Sequence, residues 1–413
     1  MISVAEASAR ILERIDALGA ETIDTAQASQ RVLAAPVVAP LTSPPWDNSS
    51  MDGYAVRSAD LADAHASLRV VGTIAAGQFA ASPLAAGRAM RIMTGAAVPA
   101  GADSVIRRED SDEGKESVTF SNLRDLGRNI RRAGEDFHKG DLLFPAGESL
   151  GPSHVGVLAS AGIRTVQVHR APRVAIISSG DELVELSDFT SDLASHRIIS
   201  SNSLTLATLV REAGGEPLYL GIARDDPVSL RTLLEKARGC DFVITSAGIS
   251  VGDHDHVRAA VAGLGGELIF WRVRMRPGAP LAFGTIHGVP WLGMSGNPVS
   301  AIVTFEVFVR PIIRRMLGFR SIFRRTIRVT VSEEIRLAAR LTHFLRAIVT
   351  FGADGLHTAR LAGSQSSSVL TAMARGNALL ILPPEPTLVS RGDICRALPL
   401  RDDFGLADEL TLA

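Results

Sequence analysis

Cysteine, tyrosine and tryptophan are scarce in this 413-residue chain, with two, two and three copies respectively. Cys240 and Cys395 cannot build a disulfide framework and lack the neighbours of a zinc site, so a reducing compartment, the cytoplasm, is expected. Net charge is close to nil, at −1, which excludes a global field recruiting nucleic acid or anionic membrane. Long apolar runs are missing too. The most apolar late stretch, AIVTFEVFVRPIIRRML, is broken by Glu306, Arg310 and Pro311, so no membrane span is expected. The opening MISVAEASARILERIDALG carries charges at helical spacing, where a signal peptide needs an unbroken apolar core. Walker A and G-x-G-x-x-G patterns are absent, which removes the P-loop and the dinucleotide fingerprint. His254 and His256 lie two apart and suggest neither a metal pair nor a triad.

What is present divides the chain into four regions. Residues 3–19 are predicted to form an amphipathic helix with Ala7, Ile11, Leu12, Ile15 and Leu18 on one face and Gly19 as its stop. From 44 to 148, short apolar runs alternate with Gly, Pro and Asp (LRVVGTI, RAMRIMTG, DSVIRRED, ESVTFS, DLLFPAG), the pattern of a small all-β module. A second helix is expected over 151–165, ending at Gly162. The β module is therefore read as an insertion (44–148) in a helical stem (1–43 and 149–171). Residues 172–318 alternate β-branched runs with helical patterns, which predicts an α/β domain with a mainly parallel sheet. Residues 319–413 return to strand-like runs and predict a C-terminal, β-barrel-like domain. The fold class expected is multidomain α/β plus β.

Ligands of open parallel sheets bind beyond the carboxyl ends of the strands. Three predicted strands end in Gly- and Ser-rich loops: IISSGDEL (176–183), ITSAGISVGDHD (244–255) and LGMSGNPVSA (292–301). Such loops let backbone amides approach an anion, helped by the following helix N-terminus. In the third, Asn297 is placed to cap a helix, Pro298 suits its first turn and Ser300 falls in that turn. Acidic residues accompany the glycines: Asp181 and Glu182 after Gly180, Asp253 and Asp255 after Gly252, Asp52 before Gly53, Glu135 and Asp136 after Gly134. Carboxylates beside a phosphate cradle suit Mg²⁺. Arg131, Arg132, Arg272, Arg274 and Arg276 are the nearby cations. The stretch PPWDNSSMDGYAVR (44–57) concentrates turn formers together with Trp46 and Tyr54.

Taken in order, PPWDNSSMDGYAVR, RIMTGAAVPAGADSVI, NIRRAGEDFHKGD, SSGDEL, SAGISVGDHD and GNPVSA resemble the motif series of the MoeA family of molybdopterin molybdenumtransferases, to which the gephyrin E domain also belongs. SSSVLTAMARGNALLILP extends the resemblance into the C-terminal region. It implies insertion of molybdate into adenylylated molybdopterin with release of AMP and with Mg²⁺. It also implies an elongated homodimer of four-domain subunits whose third, MogA-like domain binds molybdopterin, and contact with other molybdenum-cofactor enzymes, with no role for nucleic acid or membrane. By motif, Asp52, Thr94, Asp136, Glu182 and Asp255 would be catalytic, with Glu182 and Asp255 as metal ligands. Asn48, Ser50, Ser179, Gly180, Gly248, Ser250, Gly252, Arg276, Gly296, Asn297, Pro298 and Ser300 would bind substrate. Asp52, Asn48 and Ser50 would reach the partner's substrate across the dimer.

The chain departs from the family's pattern at several of these motifs. RPGAP stands for K-P-G-K-P, with Arg276 for one lysine and Ala279 for the other. Ser200 replaces an acid in IISSNS, Ala247 a glycine, His254 a tyrosine and Ser295 a proline. A guanidinium forks where an ammonium is a point. The alternative function is therefore a related carrier or assembly partner that binds pterin or nucleotide without insertion chemistry.

Overall fold

The computed structural model describes residues 1–62, 66–191, 196–247, 261–263, 265–352 and 355–401. The chain forms two compact units. One contains Met1–Glu21, Gln30–Ala34 and the chain from His169 onward; the other contains Thr22–Ser29 and Ala35–Val168.

The second unit is built on a five-stranded sheet, in the order Ser104–Arg107, Gly53–Val56, Arg88–Ile92, Leu68–Ile74, Ser117–Val118. Gly53–Val56 is buried throughout. Its side chains alternate between two cores: Tyr54 and Val56 pack with Ile106 and Val118, while Ala55 packs with Ile92 and Val105, as a period of two requires. Gly53 allows the neighbouring strand to approach, because a Cβ there would lie 2.0 Å from the Ile106 carbonyl oxygen. The last third of the PPWDNSSMDGYAVR stretch, Gly53–Val56, is thus central strand rather than loop. A helix spans Pro152–Ser160, with Pro at its start, and Gly162 adopts φ +71° just beyond it, the usual place for a left-handed residue.

In the first unit the N-terminal helix is shorter than its periodicity predicts. It runs over Val4–Leu12, with the Ser3 hydroxyl accepting from the Glu6 amide at 3.1 Å. Ile15 is buried in the same core as Ala7 and Ile11. Its carbonyl accepts from Arg315 Nε at 2.5 Å, and Leu18 N–H donates to the Met316 carbonyl. Tertiary partners satisfy groups that one more helical turn would have used.

The α/β domain carries a six-stranded sheet in the order Glu216–Ala223, Arg173–Ser179, Phe242–Ser246, Val289–Met294, Leu281–Ile286, Gly266–Trp271. The first four strands are parallel and the last two antiparallel. The reversal is made at His287–Gly288, both at positive φ, the two-residue turn that matches strand twist. Apolar clusters cover both faces. Leu206 and Val210 of helix Ser201–Glu212, with Val299 and Phe308, pack on one; Leu233 and Leu234 of helix Pro227–Lys236 pack on the other. Beyond it, Thr342–Phe351, His357–Leu361, Ile327–Val331, Ile394–Pro399 and Ala378–Leu382 close into a five-stranded barrel, filled by Val329, Leu345, Ala347 and Leu380 among others.

Candidate active site

The carboxyl ends of three adjacent parallel strands form one wall of a cleft of about 510 Å³. Ser178 and Ser179 end the first strand, Ser246 and Ala247 the second, and Ser295, Gly296, Asn297 and Pro298 follow the third. Glu182, Leu183, Ile198, Ile199, Ser200, Ser201 and Asn202 close one side, and Ser368 comes from beyond the barrel strand His357–Leu361. Among the described residues the lining is mostly hydroxyl and amide, and Glu182 is the only charged side chain in it.

Local chemistry fixes these groups. Asn202, at the start of its helix, donates to Ser246 Oγ at 2.7 Å and to the Gly296 carbonyl at 2.8 Å, so one amide ties two loops together. Ser179 Oγ donates to Asp225 at 3.4 Å. Asp181 and Asp225 each accept the other's backbone N–H, at 3.3 and 3.4 Å. Gly180 has φ +145°, and a Cβ there would meet Glu182 Oε2 at 2.6 Å, so glycine lets the Glu182 carboxylate fold back over the strand end. Pro298 opens the next helix as expected. Asn297 occupies the cap position without a side-chain capping bond, and it faces the cleft instead. Ser300 is buried within that helix and does not line the cleft.

Ala247 has φ +72°, a conformation that costs a residue with a Cβ roughly 1–2 kcal/mol. A Cβ at position 296 would lie 2.9 Å from the Ala247 methyl, so Gly296 makes room for it. Gly248, Ser250, Gly252 and Asp255 lie outside the described residues. Arg276 is exposed on the short strand Met275–Arg276, which pairs with the barrel strand Thr342–Phe351, and does not line the cleft. Arg272 stacks over the Trp271 ring, 4.2 Å from its centroid.

Sequence reasoning missed a cation. Arg346, on the barrel strand, is 1% exposed. Its Nη2 donates to the carbonyls of Ser364 (2.8 Å) and Ser366 (3.0 Å), while Nε and Nη1 have no partner among the described residues. Burial alone pulls this guanidinium below its usual range. The loop it supports continues to Ser367, whose carbonyl accepts from Val299 N–H at 3.2 Å, and to Ser368 in the cleft. The signal was an arginine in the middle of an otherwise apolar strand, FLRAIV. Ser178, Asn202, Ser246, Ser295 and Ser368 were also passed over as ligand-facing groups.

The other unit places Asp52 and Thr94 together. Asp52 Oδ1 accepts from Thr94 N–H at 2.7 Å and from its hydroxyl at 2.8 Å. The Thr94 amide, then its hydroxyl, hold the Asp52 carboxyl below the usual carboxylate range. Asn48 is buried, paired with Arg131 across a short ladder, and its amide donates to the Trp46 carbonyl at 3.3 Å. Ser50 N–H donates to the Asn129 carbonyl. Asp136 is exposed on the following loop, its N–H bonded to the Ser43 carbonyl. Arg132 does not wait for an anion: it pairs with Asp47 at 2.6 Å, and Ala133 N–H donates to the same carboxylate at 2.8 Å. The Ala133 amide is the main reason that the Asp47 carboxyl is depressed.

Cleft, sheet and barrel together define an α/β domain with a binding cleft at its strand ends, followed by a small β-barrel domain. Residues 2–162 match the MoeA N-terminal region (domains I and II), 175–315 a probable molybdopterin-binding domain, and 328–400 the MoeA C-terminal region (domain IV). The chain belongs to the MoeA family. It is 37% identical to a molybdopterin molybdenumtransferase of a Nostoc species, over 90% of this chain and 87% of that one. It is 33% identical to the molybdopterin molybdenumtransferase of Haemophilus influenzae, over 98% of this chain and all of that one. A crystal structure of the molybdopterin biosynthesis moeA protein of Pyrococcus horikoshii superposes with a TM-score of 0.81 at 27% identity, covering 97% of this chain and all of that one. Among the described residues, no helix is long and apolar enough to cross a membrane.

Proposed function

We propose that this protein is a molybdopterin molybdenumtransferase that takes adenylylated molybdopterin and molybdate, inserts molybdenum into the pterin and releases AMP. The observation that carries the reading is the cleft: three parallel strand ends, a Gly-Asn-Pro helix start and a wall of hydroxyls around one carboxylate. Uncharged donors suit a substrate that brings its own negative charge, since they add hydrogen bonds without repulsion.

Ser179, Gly180, Gly296, Asn297 and Pro298 bind the pterin nucleotide in this reading, with Gly248, Ser250 and Gly252. Arg346 supplies the cation for the oxyanion. A buried guanidinium with two nitrogens unpartnered and no carboxylate among the described residues is a site in need of an anion, and the serine loop it supports runs into the cleft. Magnesium fits the donor set as a one-carboxylate site. Among the described residues no three acidic, His or Cys groups converge, and Mg²⁺ is content with one or two carboxylates when water and phosphate oxygens complete its shell. Glu182 would hold it, with Asp255; bound there, Mg²⁺ would neutralise phosphate charge. Glu182 itself keeps a carboxylate over the strand end through the room left at Gly180.

Asp52, oriented by Thr94, is assigned to the reaction together with Asn48, Ser50 and Asp136, and the protein to a homodimer in which Asp52 serves the partner's cleft. The carrier alternative draws on Ser200 and Ala279 alone, and both sit in satisfied surroundings: Ser200 in a hydroxyl network, Ala279 in a turn whose carbonyl accepts from Val273 N–H at 3.0 Å. The test is cofactor formation from adenylylated molybdopterin, molybdate and Mg²⁺ by the purified protein. Release of AMP with stoichiometric molybdenum insertion is the expected result; binding without turnover would hand the case to the carrier.

A further inference from the structure

Glu182 introduces a flap that belongs to neither large sheet. Leu183–Val184 pairs in parallel with Ile198–Ile199 in a two-stranded sheet of its own, and Leu183, Ile198 and Ile199 line the cleft. Backbone bonds close this flap on itself: Ile198 N–H donates to the Glu182 carbonyl and Ser200 N–H to the Val184 carbonyl. Among the described residues, two side-chain hydrogen bonds join it to the main sheet. Ser200 Oγ donates to Ser178 Oγ at 3.1 Å. Tyr219, on the edge strand, donates its phenol proton to Glu185 Oε1 at 2.5 Å. The register of that edge strand slips beside Tyr219, which pairs with Ile176 while Gly221, at φ +111°, pairs with Ile177. Such a bulge re-aims a side chain.

The polarity of this chain follows from counting protons. Tyr219 has one, and it goes to Glu185, so toward any other neighbour the phenol oxygen is only an acceptor. Burial first, then Glu185, push the phenol up to about 12, against an opposite pull from the Ser178 and Ser200 hydroxyls. Tyr219 is therefore a neutral donor to Glu185 at any working pH. Ser200 uses its proton on Ser178, leaving lone pairs for the cleft. Where the family pattern has an acid, Ser200 keeps the accepting character and drops the charge.

We propose that Tyr219 and Glu185 are positioning residues for the insertion reaction. Tyr219 anchors the flap that follows Glu182 through Glu185, which holds Ser200 over Ser178 with its lone pairs left to accept a hydrogen bond from an N–H group of the pterin. This rests on the function proposed above. It assigns the two serines to the ring end of the substrate rather than to its phosphates, which have no proton to give at neutral pH.

Tyr219→Phe, Glu185→Ala and Glu185→Gln test it. The amide oxygen of Gln still accepts the phenol proton, so Glu185→Gln should behave as the parent. Tyr219→Phe and Glu185→Ala should raise KM for adenylylated molybdopterin about tenfold, the worth of about one hydrogen bond, with kcat kept and the affinity for AMP, which has no pterin, unchanged. In the ligand-free protein, amide exchange at 183–185 and 198–200 should quicken about tenfold in the same two variants and not in Glu185→Gln. Equal losses for AMP and pterin, or a Gln variant as poor as Ala, overturn the proposal. So does unchanged exchange. If the parent protein makes no cofactor while the exchange pattern holds, the clamp stands and the function fails. If the parent works and neither KM nor exchange moves, the clamp fails alone.

Discussion

The two units hold their polar residues by opposite means. Around PPWDNSSMDGYAVR, charges are matched within the fold: Asp47 with Arg132 and the Ala133 amide, Asp52 with Thr94, Asp125 with Arg107, Asp110 with Arg124. In the α/β cleft the groups are hydroxyls and amides bonded to one another, and the buried cation at its flank has no acidic partner. A loop whose charges are already paired is rigid and presents one defined carboxylate. In the reading proposed above, the Arg346 guanidinium beneath the serine loop is completed only when an anion arrives. The first arrangement is bought with ion pairs; the second with desolvation that only a ligand relieves.

Replacing the lone cation should separate function from stability most sharply. Arg346→Met removes a guanidinium without an acidic partner and keeps a side chain that can fill the space. Insertion activity should fall about 10³-fold, as expected for a lost electrostatic contact in a dry site. Thermal stability should hold or rise, because a buried charge without a counterion is a burden on the empty fold. A large loss of Tm with modest loss of activity would mean that Arg346 serves the Ser364–Ser368 loop structurally and no anion.

On the matched side, Asp52→Asn should cost about 100-fold in activity, the lower end of the range for a group acting directly on a proton or charge, with Tm nearly unchanged at this exposed position. Mixing that variant with Glu182→Gln subunits should restore activity if the working cleft draws on two chains. No recovery in exchanging mixtures would place both residues in one chain's site. The Thr94 bonds depress the Asp52 carboxyl, so Asp52 stays ionised through the ordinary carboxylate range. The acid limb attributable to it should therefore lie below that range in the parent, and move up in Thr94→Val.

Asp125 sets the scale for structural pairing in the same unit. It is buried, and Arg107 grips it at 2.8 and 3.1 Å; the Arg107 hydrogen bond is the first cause of its lowered pKa. A depressed carboxyl stabilises the fold above its unfolded value, and the contribution disappears as pH falls through the folded value. Asp125→Asn should lower Tm by about 4 °C at pH 7, and by progressively less under acid as the parent loses the same pair. A difference that stays constant with pH would show that the charge is irrelevant.

Much of this comparison was written in the sequence, because the signals concerned were local. Strand ends in Gly and Ser, Pro at a helix start and the order of six motifs are short-range patterns. They located the parallel strands and the Gly296–Pro298 turn. What escaped depended on distance along the chain. Asn202 bridging Ser246 and Gly296, Ser368 arriving from past a barrel strand, and Tyr219 meeting Glu185 are contacts that no window reveals. Arg346 was visible as an oddity in an apolar strand, but whether a charge is buried without a counterion depends on everything packed around it. The N-terminal helix erred for the same reason: Ile15 keeps the helical spacing, yet Arg315 and the Met316 carbonyl, 300 residues away, take over its turn.

The smallest expected effect sharpens the idea that the cleft keeps strain as well as unpaired charge. Ala247 holds φ +72° at a strand end in the cleft wall, and its methyl is the reason position 296 has no room for a side chain. Ala247→Gly removes a left-handed penalty of roughly 1–2 kcal/mol but loosens the unfolded chain by about 0.5–1 kcal/mol. The net should be a stabilisation of at most about 1.5 kcal/mol, readable by denaturant titration. Activity is the more telling readout. If the methyl spaces the Gly296 loop from its neighbouring strand end, the glycine variant gains stability and loses substrate affinity a few-fold. Gly296→Ala, which brings two methyl groups within 2.9 Å of each other, should then be rescued by Ala247→Gly, since neighbours that share one space do not add independently. Independent effects of the two changes would mean that the loop relaxes freely, and that the left-handed alanine stores nothing the cleft uses.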